Sequence, residues 1–161
     1  MIQPQVTEQD QRIAQILEKF PTLRLRTVRR NTPVLEVPPD KLVEVARWLK
    51  EEGSLAFNYL VSITAVDYWE YFEVAYLLHS IPYGHSVELK VNVDRERPVV
   101  PSLTSIWRGA DVQEREVYDL MGVEFSGHPE LKRILLWDSF EGHPLRKDFD
   151  KQPDDIPIPE E

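Results

Sequence analysis

Cysteine is absent from the 161-residue sequence. Its absence excludes disulfide bonds and thiolate nucleophiles, and it removes the ligands that ordinary iron–sulfur clusters and structural zinc sites require. Basic residues are also scarce: 19 Lys and Arg face 28 Asp and Glu, which gives a net charge of −9. A negative field repels nucleic acid and anionic lipid headgroups, so neither is expected to be the primary partner.

Long apolar runs and a secretory leader are missing as well. The longest apolar run is far too short to cross a bilayer. The first ten residues, MIQPQVTEQD, have neither the basic nor the apolar region of a signal peptide. We therefore expect any membrane association to go through a partner protein.

What the sequence does contain is enough apolar material for one core. Hydrophobic residues make up 42% of the chain and aromatic residues 10%. A chain of this length buries roughly 70% of the surface that its unfolded form exposes. We expect a single folded domain followed by less regular sequence.

The order of elements predicts the fold class. Helical spacing of apolar residues indicates a helix over about 8–20, capped by Thr7 and Asp10, and a second helix between Pro38 and Gly53. The segments that favour β-strands are 23–30, 34–37, 58–68, 72–80 and 86–93. Short connections between the strands favour antiparallel pairing. The prediction is an α+β, two-layer fold, a mostly antiparallel sheet with helices on one face.

The last part of the chain has a different character. Residues 128–150 have neither helical nor two-residue periodicity, and residues 151–161 are rich in proline and acid. We predict an α+β domain over 1–127, an extended C-terminal arm over 128–150 that binds a partner, and a flexible tail over 151–161.

A charged helix is predicted within 110–122, where Glu114, Arg115, Glu116 and Asp119 stand close together. Asp111 and Glu114 have the spacing of a capping box, and Arg115 can pair at i,i+4 with Asp111 and with Asp119. Residues two apart on a helix point in different directions, so Glu114 and Glu116 do not converge on one reacting atom. The pattern favours a solvated or protein-facing charge cluster over an active site.

Other motifs give weaker signals. The four histidines lack metal-site spacing, and the glycines at 122 and 127 lack the Lys-Ser or Lys-Thr of a phosphate loop. The one basic run, LRLRTVRR at 23–30, places Arg24, Arg26 and Arg30 on one face of a strand if alternation holds. Two interpretations stay open for that run, a charged edge that prevents aggregation and a docking face for an acidic partner.

The segment EREVYDLMGVEFSGHPELKRIL at 114–135 resembles the characteristic segment of one family. That family is the 30-kilodalton subunit, or C subunit, of proton-pumping NADH:quinone oxidoreductase, respiratory complex I. Its pattern has Glu-Arg-Glu, then an acid with two apolar residues, then His, a basic residue and two aliphatic residues. The matching positions are Glu114, Arg115, Glu116, Asp119, Leu120, Met121, His128, Lys132, Ile134 and Leu135. The likeness covers about 38–150 and is most specific over 98–149.

The resemblance implies a component of the peripheral arm that carries no redox centre, catalytic residue or cofactor of its own. The complex would hold FMN and iron–sulfur clusters in other subunits. The implied partners are chiefly the D subunit, near the quinone-reducing end, and the B and I subunits, on the cytoplasmic face of the bacterial cell membrane. The residues expected at the partner interface are Glu114, Arg115, Glu116, Asp119, His128, Lys132, Arg133, His143, Arg146 and Lys147.

Two alternatives remain open at this point. One is a small stand-alone enzyme or metal-binding protein that uses Glu114, Glu116 and His128. The other, within the same family, is a component of a membrane-bound hydrogenase or of a ferredoxin-linked complex.

Overall fold

A computed structural model describes residues 7–150 of the chain. The prediction made for 151–161 lies outside the described residues. In chain order the helices and strands are α1 (Glu8–Lys19), β1 (Arg24–Arg29), β2 (Thr32–Glu36), a short 3₁₀ turn (Pro39–Lys41), α2 (Leu42–Glu51), β3 (Tyr59–Asp67), β4 (Tyr71–Ser80), β5 (His85–Asp94), β6 (Val99–Pro101), α3 (Ala110–Met121) and β7 (Glu124–Ser126).

The main sheet has five strands in the order β1-β2-β5-β4-β3. Only the β2–β5 pair is parallel; the other three pairs are antiparallel. The predicted α+β class and its mostly antiparallel sheet are therefore confirmed. The small parallel pair of β6 and β7 was not predicted, because three-residue strands are too short to show a period.

One face of the sheet carries the core. Along β4, the buried residues Phe72, Val74, Tyr76 and Leu78 alternate with residues that are mostly less buried. The core is completed by apolar residues of all three helices, among them Ile16 of α1, Leu42, Val45 and Leu49 of α2, and Val117 of α3. Burial of this apolar surface is the main force that stabilises the fold.

Local sequence signals account for the element ends. Thr7 and Asp10 form the predicted reciprocal capping box at the start of α1. A two-residue turn at Arg30 and Asn31, both with positive φ, joins β1 to β2. Gly122 ends α3 in the left-handed conformation, and an added Cβ there would lie 2.6 Å from the His143 ring.

Helix α3 covers the β3 edge of the sheet. A bulge at Val61 interrupts the β3–β4 ladder between Leu60 and Ser62. Just beyond it, the backbone N–H of Ile63 donates to Oε1 of Gln113 on α3 at 2.6 Å. This contact holds the charged helix beside the sheet. The chain's last 23 described residues, 128–150, are named here the C-terminal segment.

Among residues 7–150, no helix combines the length and the apolar composition needed to span a bilayer.

Candidate functional site at helix α3 and the C-terminal segment

Two carboxylates of α3 point into the protein. Glu114 and Asp119 are both 0% exposed. The expectation of a solvated or protein-facing cluster is therefore wrong for these two side chains. The predicted capping box is also absent: Gly109 is the N-cap of α3 and makes no side-chain cap bond.

Asp119 holds the C-terminal segment by its backbone. Its Oδ2 accepts three backbone N–H groups, from Ile134 at 3.0 Å, Leu135 at 2.8 Å and Leu136 at 2.9 Å. Its Oδ1 accepts from Nη1 of Arg133 at 2.6 Å. Burial alone would raise the pKa of Asp119, but the Leu136 N–H, Arg133 and the other two N–H groups outweigh it and lower that pKa.

Two arginines complete this contact. Nη2 of Arg133 donates to the carbonyls of Phe140 and Gly142 at 3.0 and 2.9 Å, which fixes the bend of the segment. Arg115 reaches from α3 to the carbonyls of Lys132 and Arg133 at 3.1 and 3.0 Å. Arg115 therefore fastens the segment, whereas the sequence had suggested weak i,i+4 pairs with Asp111 and Asp119. We call Arg115, Asp119 and Arg133 the α3 clamp.

Histidines 128 and 143 are part of the same attachment. Nδ1 of His128 accepts the Glu130 N–H at 3.0 Å, so its Nε2 carries the proton and donates to the Asp111 carbonyl at 3.2 Å. Nδ1 of His143 donates to the carbonyl of Asp119 at 2.9 Å. Both rings bind backbone at the ends of α3, which explains their positions without a metal.

A second clamp fastens the end of the segment to the sheet. Asp67, at the end of β3, accepts from Arg95, from the Trp69 N–H at 2.8 Å and from the Lys147 N–H at 3.0 Å. Arg95 also pairs with Asp148 at 3.2 Å. We call Asp67, Arg95 and Asp148 the sheet clamp. Neither Asp67 nor Arg95 was predicted, because both lie far from the segment in sequence.

Glu114 binds the loop before α3. Its Oε2 accepts from Oγ of Ser102, and its Oε1 accepts the Leu103 N–H, both at 2.6 Å. Burial raises the pKa of Glu114, although these two hydrogen bonds oppose the shift. Burial, and to a lesser extent the charge of Glu114, raises the pKa of Tyr76 well above its ordinary range. Glu114 therefore acts as a buried support for the turn that leads into α3.

Apart from the buried Glu114 and Asp119, the predicted interface residues divide into two groups. Exposed positions are Glu116, Lys132 and Lys147. Arg115, His128, Arg133, His143 and Arg146 are less exposed and make bonds within the chain. For the first group, contact with a partner stays a prediction. For the second group, the described bonds show attachment within the chain, and contact with a partner stays a prediction there too.

Besides its charged side chains, the segment exposes large apolar ones. Leu135 and Leu145 are each 60% exposed. The neighbouring Trp69, in the β3–β4 turn, is 58% exposed and lies under Arg95 and Lys147. Phe140 is buried, with the rings of Trp137 and Phe149 at 5.1 and 6.0 Å. The two clamps thus hold an irregular segment in a fixed shape with leucines turned outward.

The hypothesis of a stand-alone enzyme finds no support in this geometry. Glu114 and Glu116 diverge, and the His128 ring is bound to backbone. Within the described residues, no three His, Asp or Glu side chains gather as metal ligands. The arrangement can present a surface, but it does not bring an acid and a base to one reacting atom.

The sheet clamp predicts a specific loss of stability in acid. Although burial opposes it, Arg95 and the N–H groups of Lys147 and Trp69 lower the pKa of Asp67 from 3.8 to about 2. A lowered folded-state pKa gives stability that is present above the ordinary pKa and is lost as the pH falls toward the folded one. The free energy of unfolding, measured in urea, should therefore fall by roughly 2 kcal/mol between about pH 5 and 2 because of Asp67. Asp67→Asn should remove that part of the pH dependence; an unchanged slope in the variant would contradict the assignment.

Comparison with known proteins gives consistent matches. The family described as the 30 Kd subunit of respiratory-chain NADH dehydrogenase matches residues 35–155. The C subunit of NADH-quinone oxidoreductase from Moorella thermoacetica is 50% identical over 142 residues, which cover 87% of this chain and 94% of the relative. The corresponding C subunit from Geobacter sulfurreducens is 40% identical over 153 residues, covering 91% and 93% of the two chains.

Two solved structures share the fold. A chain of the membrane-bound sulfane sulfur reductase, an archaeal respiratory membrane complex, aligns with a TM-score of 0.78 and 31% identity, over 89% of this chain and 86% of that one. The trypsin-resistant fragment (1-134) of Nqo5 aligns with a TM-score of 0.64 and 28% identity, over 76% of this chain and 99% of the fragment.

Proposed function

Since the chain belongs to the family of the respiratory-chain NADH dehydrogenase 30 Kd subunit, we propose that it is a non-redox component of the peripheral arm of a proton-translocating NADH:quinone oxidoreductase. In this role it supports assembly and docks onto the D subunit near the quinone-reducing end, with the B and I subunits as further neighbours. FMN and iron–sulfur clusters would belong to other subunits. The complex would place the chain peripherally on the cytoplasmic face of a bacterial cell membrane.

One observation supports the docking role most directly. The residues of the family motif fasten the C-terminal segment to α3 through the α3 clamp. This attachment leaves Leu135 and Leu145 largely exposed on an ordered backbone. Exposed apolar side chains on a pre-ordered surface favour protein binding, because little conformational entropy is lost on association.

The relatives favour an NADH-linked complex over the other family members. The relatives from Moorella and Geobacter are named as NADH-quinone oxidoreductase subunits. The structural neighbour from the sulfane sulfur reductase aligns at lower identity. We therefore place the hydrogenase and ferredoxin-linked alternatives second.

The test is purification of the tagged chain from its native membranes, combined with two surface substitutions. Leu135→Asp and Leu145→Asp should leave thermal unfolding of the free chain nearly unchanged. They should reduce co-purification of the D subunit and NADH:quinone reductase activity at least tenfold, because a charge placed in an apolar contact is desolvated without a partner.

Ile81→Asp is the matched control. Ile81 is 65% exposed and follows β4, at the opposite end of that strand from the sheet clamp. This variant should assemble normally. Normal assembly of both leucine variants would contradict docking through the C-terminal segment, and co-purification without NADH:quinone reductase activity would contradict the assignment to that enzyme.

A further inference from the structure

Within residues 7–150, strand β1 is an edge of the main sheet that no other element covers. It stands first in the strand order, and all six of its residues are exposed. The opposite edge, β3, is covered by α3, where Gln113 binds the Ile63 N–H. An uncovered edge presents unpaired backbone groups that can accept another strand.

The hairpin turn identifies backbone groups that are free. A two-residue turn makes Arg29 and Thr32 a hydrogen-bonded pair, and alternation makes Val28 and Pro33 the next, non-hydrogen-bonded pair. The register agrees, since Pro33 has no N–H to donate. The N–H and C=O of Val28 therefore point away from β2, toward the open edge.

The two faces of β1 have opposite character. The register puts Arg24 and Arg29 opposite Glu36 and Thr32, on one face. Leu25 lies opposite the core residue Leu35 and shares the other face with Val28. Leu25 and Val28 are 41% and 44% exposed. A partner strand with acidic side chains on one face and apolar ones on the other would match this edge.

The basic run agrees with the sequence-based view only in part. Strict alternation predicted Arg24, Arg26 and Arg30 on one face. Arg26 does reach the face of Arg24, since it binds the buried Glu73 and lies 3.4 Å from Glu36, but Arg30 lies in the turn. Among residues 7–150, no ion pair engages Arg24, Arg29 or Arg30. Within the described residues these three guanidinium groups therefore have no salt-bridge partner, although the net charge of the chain is −9.

We propose that the β1 edge pairs with an extended acidic segment of another protein, which adds a sixth strand to the sheet. Backbone bonds at Val28 supply affinity, and Arg24 and Arg29 select acidic side chains directly opposite them. The same arginines disfavour pairing of two copies of this edge, because like charges opposite each other destabilise a ladder. The inference does not depend on which complex contains the chain.

The test is an NMR titration of the full ¹⁵N-labelled chain with a capped octapeptide in which Glu alternates with Val. We expect shifts along β1 and slower hydrogen exchange at the Val28 N–H. A matched peptide with Lys in place of Glu should bind at least tenfold more weakly at low salt. Charge reversal by Arg24→Glu with Arg29→Glu should invert that preference.

Val28→Pro separates strand pairing from simple charge attraction. It removes the outward N–H and replaces the valine side chain with an apolar ring, but it changes no charge. An edge strand tolerates proline, so the remaining spectrum should stay native while affinity for the acidic peptide falls at least tenfold. The proposal would be overturned if the acidic peptide did not bind, if both peptides bound equally, or if Val28→Pro left binding unchanged. Shifts confined to another surface, or self-association of the chain through β1, would also overturn it.

Discussion

Replacing Asp119 with alanine is expected to lower the free energy of unfolding by about 3–5 kcal/mol, the range for breaking a buried charge pair from one side. The carboxylate is 0% exposed and accepts from Arg133 and from the N–H groups of residues 134–136. Alanine would leave these donors without an acceptor. It would also remove the attachment between α3 and the C-terminal segment.

Denaturant unfolding of the full chain measures this effect, and Glu116→Gln is its control. Glu116 lies on the same helix but is exposed, so its neutralisation should change stability by no more than about 0.5 kcal/mol. Asp119→Asn should lie between the two, since an amide keeps one acceptor oxygen but places an NH₂ group toward donors. Equal stability of the Asp119→Ala and Glu116→Gln variants would show that the α3 clamp does not stabilise the fold.

Elements with local signals could be predicted from the sequence. The capping box of Thr7 and Asp10 and the alternating strand β4 are confirmed, because a helix cap and a two-residue period are properties of neighbouring residues. The parallel pairing of β2 with β5 could not be predicted in this way. Their pairing depends on how residues 37–84 fold between them, and no short window of sequence contains that information.

The inward direction of Glu114 and Asp119 could not be predicted for a related reason. Spacing on a helix shows which side chains are neighbours, and it suggested plausible i,i+4 partners for Arg115. The actual partners of Asp119 lie 14–17 positions away, in a segment without periodicity. Three backbone N–H groups carry no residue-type signal, so composition could not reveal that they surround a carboxylate.

The motif that carries the family resemblance has a structural meaning. Its acidic and basic positions on α3, Asp119 and Arg115, bind the backbone around its later positions, Lys132, Ile134 and Leu135. His128 closes the start of the segment against the Asp111 carbonyl. The two halves of the motif are therefore two sides of one contact. This explains why charged residues occur together on α3 although they do not point at one reacting atom.

Truncation after Gly127 provides the second large effect and the sharpest test of that contact. The sequence predicts that the domain keeps a cooperative unfolding transition without residues 128–150 and loses assembly, and this remains the expectation. The five-stranded sheet and its main core lie before the cut. The truncated domain should nevertheless be several kcal/mol less stable than the full chain, because both clamps lose their partners and the buried Phe140 is removed.

The decisive comparison is Asp119→Ala in the two backgrounds. All the side-chain bonds described for Asp119 come from residues 133–136, so the substitution should cost about 3–5 kcal/mol in the full chain. In the truncated chain it should cost less than about 1 kcal/mol, because the carboxylate is then an unpaired charge at a newly exposed helix surface. The difference between the two costs is the coupling free energy between Asp119 and the segment. Equal costs in both backgrounds would mean that Asp119 stabilises α3 by itself, and the role assigned to the α3 clamp would be wrong.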